Sequence, residues 1–85
     1  MSYLEIESKI KKILADQLNL DIDRINLNSC LSDDLGMDSF SSIEIVFELE
    51  DKFGIKISDA EIIKAKIVKD IVDYVVVQMD AKEKN

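Results

Sequence analysis

The 85-residue sequence contains no histidine, no proline and a single cysteine, Cys30. Each absence excludes a class of chemistry. One thiol cannot form an internal disulfide. Without histidine, and with one cysteine, a zinc cage of the usual ligands cannot be assembled. The same lack removes every histidine-assisted nucleophile, so a hydrolytic triad is excluded. Glycine is almost as scarce, at Gly36 and Gly54 only. No apolar run reaches the length needed to cross a bilayer, and the first residues lack a signal-peptide pattern. A soluble cytosolic domain is the expectation, with residues 1–85 as a single domain and the polar tail 80–85 frayed. What is abundant is aliphatic: Ile, Leu and Val number 27, enough for a compact helical core in a short chain that has no staples.

The charge is acidic and uneven. The net charge is −7, which argues against nucleic acid as a partner, since phosphates are neutralised by basic surfaces. Residues 1–15 and 62–85 each carry a net +1, whereas residues 16–61 carry twelve acids and three bases, a net −9. That middle segment repels anions and steers toward a basic protein surface.

Apolar spacing predicts the elements. Ser2 and Glu5 form a Ser-x-x-Glu capping box, and Ile6, Ile10, Ile13 and Leu14 follow at helical spacing, so a helix is expected over about residues 3–18. Residues 19–38 lack sustained periodicity. Their scattered apolar side chains, Leu20, Ile25, Leu27, Leu31 and Leu35, predict an ordered loop packed on the core. A second helix is expected from Ser39 to Phe53, with Gly54 as its C-terminal cap. Ile55-Lys56-Ile57 alternates as a strand does, but nothing is available to pair with it. Ser58 and Glu61 mark another cap, with a short helix over 59–65. The last helix has the clearest pattern, with Val68, Ile71, Val72, Val75, Val76 and Met79 on one face. The fold expected is a small all-α four-helix bundle of three main helices and one short one, with a long first loop.

The second helix carries two apolar stripes. With Phe40 at zero on a helical wheel, Ile45, Val46, Leu49 and Phe53 fall between about 140° and 240°, an ordinary core stripe. Phe40, Ile43 and Phe47 fall between about 300° and 360°, with Glu44 and Asp51 on one side and Glu50 on the other. This second stripe is either covered by the long loop or the short helix, or it is an exposed apolar strip rimmed with carboxylates, the anatomy of a docking surface. Just ahead of it, Asp38 can cap the helix, although Ser41-x-x-Glu44 offers a competing box. Ser39 then lies in the first turn, as an ordinary helix-start serine or as a functional hydroxyl. Asp33, Asp34 and Asp38 lack EF-hand spacing, and no metal site is expected. Cys30 has no basic neighbour in sequence to activate it and reads as a small loop residue.

Asp38-Ser39-Phe40, preceded by Asp34-Leu35-Gly36, resembles the Asp-Ser-Leu attachment motif of acyl carrier proteins. The resemblance extends over nearly the whole chain. It takes in the Lys-Lys-Ile-Leu run and Gln17-Leu18 of the first helix, Glu44, the Leu49-Glu50-Asp51-Lys52-Phe53 end of the second, and Asp73-Tyr74-Val75. It implies that Ser39, beside Asp38, receives a 4′-phosphopantetheine arm from coenzyme A, moved there by a phosphopantetheinyl transferase. The arm then carries acyl groups as thioesters, so the chain itself is no enzyme. It implies a docking face of Phe40, Ile43, Glu44, Phe47, Glu50 and Asp51 for acyl-transferring and condensing enzymes with basic patches. It also suggests a cavity near Ile45, Val46, Leu49, Ile57, Ile62 and Val72, residues that otherwise read as plain core. A monomer is expected. Phe40 stands where the family usually has leucine, and Ser41 and Ser42 where an acid and a threonine are frequent. Ser58 replaces a common proline, and Lys66-Ile67 a common polar pair. The pathway thus stays open among fatty acid, polyketide, modified lipid and aminoacyl carriers. A plain acidic interaction module with an inert Ser39 is the competing reading.

Overall fold

The computed structural model describes residues 2–83. In order, it has helix α1 (Tyr3–Leu18), a single 3₁₀ turn (Ile22–Arg24), and helices α2 (Ser39–Phe53), α3 (Asp59–Lys64) and α4 (Val68–Glu83). The three long helices pack around one core, with Ile6, Ile10 and Leu14 of α1 meeting Ile45 and Leu49 of α2 and Val72 and Val75 of α4 among the enclosed side chains. The all-α bundle of three long helices and one short one is the architecture the periodicity predicts.

Caps explain where the helices begin and end. The Ser2 hydroxyl accepts from the Glu5 N–H at 3.2 Å, and the Glu5 carboxylate accepts from the Ser2 N–H at 3.3 Å, which completes the capping box. α1 ends where Asn19 turns left-handed at φ 57°. α2 ends at Gly54, with φ 63°, whose N–H returns to the Glu50 carbonyl. The left-handed φ of Gly54 favours glycine there, and a Cβ would displace only the flexible end of Lys82, whose ammonium lies 2.6 Å from that position. At the other end of the bundle the Tyr3 hydroxyl donates to Asp73 at 2.9 Å and Lys69 donates to the same carboxylate at 2.7 Å, clamping α1 to α4. The Lys69 hydrogen bond holds Asp73 below the ordinary aspartate range.

The long loop is ordered, as its buried Ile25, Leu31 and Leu35 require. Its hold on the bundle comes from backbone pairing with the segment that leads into α4. Leu31 N–H donates to the Lys66 carbonyl at 2.9 Å, Val68 N–H to Ser29 at 3.1 Å and Lys69 N–H to Leu27 at 2.9 Å. Cys30 and Ile67 form an isolated antiparallel bridge. Ile55-Lys56-Ile57 forms no strand. Instead the Glu50 carboxylate accepts from the Ile57 N–H at 2.8 Å and holds the turn into α3. α3 stops at Lys64, one residue short of the expected end.

α4 continues through Glu83. The Lys82 ammonium donates to the carbonyls of Gly54 at 3.1 Å and Phe53 at 3.4 Å, so the last turn is tied to the end of α2. A cation there also opposes the negative end of the α2 dipole. Lys84 and Asn85 of the predicted tail lie outside the described residues.

Candidate functional site

The site starts from the cap of α2. Asp38 is extended and accepts the Ser41 N–H at 2.8 Å, while the Ser41 hydroxyl accepts the Asp38 N–H at 2.9 Å. The cap is therefore Asp38, and the competing box starting at Ser41 does not form. These bonds, first from the Ser41 backbone and then from its hydroxyl, hold the Asp38 carboxyl below the ordinary aspartate range. The Ser42 hydroxyl donates to the Asp38 carbonyl. Two of the serines that open α2 are thus spent on the backbone. Ser39, the first helical residue, is exposed, and its hydroxyl makes no hydrogen bond among the described residues. A serine hydroxyl needs an adjacent base to act as a nucleophile on its own. None is offered beside Ser39 among the described residues.

The outer stripe of α2 is open. Phe40 is 72% exposed, Ile43 55% and Phe47 65%, and neither the loop nor α3 covers them. Ile45, Val46, Leu49 and Phe53 on the opposite stripe are buried. Glu44 and Asp51 are exposed beside the open stripe. Glu50 differs: it is half-buried, with one carboxylate oxygen committed to Ile57, so its charge is partly withdrawn from the rim.

The sequence reading missed Ile63. It stands 78% exposed on α3 and, with Ile62, faces Ser39 and Ile43 across a groove of about 250 Å³ that Ser42 and Val46 complete. Of the residues expected near a cavity, Ile45 and Val72 are core, Val46 lines the groove, and Leu49 and Ile57 line a small cleft that the exposed Glu61 and Asp70 also border. Ile62 borders both spaces. Among the described residues no group of His, Cys, Asp or Glu could hold a metal ion, and no helix is long and apolar enough to cross a membrane. Cys30 is half-buried and free, with its N–H on Asp34 at 2.7 Å.

A small helical scaffold that offers one unengaged hydroxyl at a helix start, next to an uncovered apolar face, suits a protein that carries an attached group. The comparisons with known proteins agree. The family described as "Phosphopantetheine attachment site" matches residues 8–75. The acyl carrier protein of Thermosynechococcus vestitus is 39% identical over 88% of this chain and 93% of its own length. That of Rickettsia bellii is 41% identical over 82% of this chain and 81% of its own. A provisionally assigned acyl carrier protein of Mycobacterium tuberculosis, known as a solved structure, superposes with a TM-score of 0.79 at 36% identity, covering 85% of this chain and 96% of that one. The chain belongs to the acyl carrier protein family. Its cofactor is phosphopantetheine, and it is not an enzyme. The residues present fit that group: an exposed, unspent hydroxyl stands at the positive end of α2, where a phosphodiester is favoured. An apolar groove opens beside it.

Proposed function

We propose that Ser39 is the residue that takes the arm, and that the chain delivers acyl groups between enzymes of fatty acid or related lipid or polyketide biosynthesis in the cytoplasm. The observation that carries this reading is the contrast among Ser39, Ser41 and Ser42, of which only Ser39 has a hydroxyl that is both exposed and unbonded among the described residues. A phosphopantetheinyl transferase moves the 4′-phosphopantetheine group from coenzyme A to the Ser39 oxygen, which gives up its proton as the coenzyme A pyrophosphate breaks and adenosine 3′,5′-bisphosphate leaves. Once attached, the arm supplies a thiol that holds the cargo as a thioester. The protein contributes position and recognition. Asp38 fixes the start of α2, so Ser39 projects from a rigid element rather than from a loop.

Phe40, Ile43 and Phe47 are the apolar centre of the docking face, and Glu44 and Asp51 are its charged rim. Transferases and condensing enzymes with basic patches around an apolar recess are the partners this surface complements. Incubation with coenzyme A and a broad-specificity phosphopantetheinyl transferase tests the reading by intact mass. The wild type is expected to gain one arm and Ser39→Ala none. No gain on the wild type, or an equal gain on Ser39→Ala, refutes the assignment. An intact mass spectrum of the protein from its native host reads out arm and cargo together, and an aminoacyl cargo would move the chain to a specialised pathway.

A further inference from the structure

Glu50 follows Val46 by one turn of α2 and Ile43 by two, so it lies on the side of the helix that borders the groove. Glu44 and Asp51 are exposed, whereas Glu50 is half-buried and its carboxylate accepts the Ile57 N–H at 2.8 Å. Ile57 is itself buried, where a backbone N–H deprived of its acceptor is costly. α3 begins two residues later, and little else holds it. Six residues are too few to make a stable helix alone. Of its described side chains only Ile62 packs against the core, and none is fully buried. The position of α3 is therefore set from its two ends. Past its C-terminus the Leu31 N–H donates to the Lys66 carbonyl at 2.9 Å. Before its N-terminus stands the bond from Ile57 to Glu50. Between these two ties α3 carries the exposed Ile63, which lines the groove with Ser39 and Ile43.

We propose that Glu50 is a positioning residue and not a docking acid: by holding Ile57 it fixes α3, so that a transferase docking on the outer stripe of α2 meets Ile63 together with that stripe. What serves is the reach of the side chain and its acceptor oxygen. Its charge at the rim does not. The proposal rests on the docking face proposed above.

Two conservative variants separate reach from charge. Glu50→Gln keeps the length and an acceptor oxygen and removes the charge. Glu50→Asp keeps the charge and is one methylene shorter. The dissociation constant of the unmodified protein for a broad-specificity phosphopantetheinyl transferase is measured for both at low and high salt, with Glu44→Gln, Phe47→Ala and Ile63→Ala alongside. Glu50→Gln should bind within about twofold of the wild type. Glu50→Asp and Ile63→Ala should each weaken binding about fivefold, by the same factor at both salt concentrations, whereas the loss in Glu44→Gln should shrink as salt rises. Amide exchange at Ile57, read by NMR, should stay slow in Glu50→Gln and quicken at least about tenfold in Glu50→Asp. In the Ile63→Ala background Glu50→Asp should cost no further affinity, because the contact it positions is already gone. An impaired Glu50→Gln, a Glu50→Asp that binds like the wild type, or losses of Glu50→Asp and Ile63→Ala that add in full each overturn the proposal. Should Glu50→Asp fail to fold, Glu50→Gln decides alone: weakened binding with slow Ile57 exchange means that the charge serves, and unchanged binding that it does not. An unchanged affinity in Phe47→Ala refutes the docking face, and the proposal with it, by a variant that leaves Glu50 untouched.

Discussion

Ile43 and Ile45 stand two positions apart on α2, yet Ile45 is fully enclosed and Ile43 is 55% exposed. The same holds along the helix: Val46, Leu49 and Phe53 are core, while Phe40 and Phe47 face water. Burial of each large apolar side chain is worth about 1.5–3 kcal/mol. Three such side chains left open on one face are a sizeable amount of stability that folding does not collect. What folding leaves unclaimed is available to an interface. The inner stripe therefore specifies the bundle, and the outer stripe is free to specify the partner.

The contrast is broken most sharply by truncating one residue on each face. Leu49→Ala is expected to cost about 2–5 kcal/mol in denaturant unfolding, from lost burial and the cavity left behind. Phe47→Ala should stay within about 0.5 kcal/mol of the wild type, while slowing phosphopantetheinyl transfer. Comparable losses of stability on the two faces would mean that the outer stripe is packed in solution. The next effect is electrostatic. Reversing the rim with Glu44→Lys and Asp51→Lys should weaken transferase binding about tenfold or more at low salt without moving the melting temperature. The gap should narrow as ionic strength rises, because exposed charges are screened. An affinity equally indifferent to the reversal and to salt would leave the apolar stripe as the sole determinant.

The smallest effect concerns the cap. Asp38 has a folded pKa below its unfolded value. Its contribution is therefore complete above the unfolded pKa and is lost as pH falls through the lower, folded one. Acid titration of the melting temperature should show this loss in the wild type, and a flatter profile in Asp38→Asn, which caps without a charge. Identical profiles would show that the carboxylate's charge does not matter at this position.

How much of this could be read from the residues follows from the range of the interactions. α1 and α2 announce themselves through local capping and period, and their observed bounds are the expected ones. The two stripes are legible for the same reason, since a wheel needs only one helix, whereas Ser39 is singled out only by the resemblance that Asp38-Ser39-Phe40 carries. The pairing of Leu27, Ser29 and Leu31 with 66–69 is backbone to backbone across a long stretch of chain and leaves no periodic trace. The bond from Lys82 to the end of α2 reaches 28 residues back to Gly54 and leaves no local trace either. Glu50 looks like any rim carboxylate until the turn at Ile57 is placed beneath it. The exposure of Ile63 leaves no local trace, because its place opposite Ser39 depends on how α3 sits on the bundle.

The start of α2 holds three hydroxyls within a single turn, and the backbone has already taken two of them. A modifying enzyme that reached this helix end without reading any sequence would still find one oxygen to react with. If Ser39 takes the arm as proposed, regioselectivity rests on prior occupancy, a property of the substrate protein before any enzyme arrives.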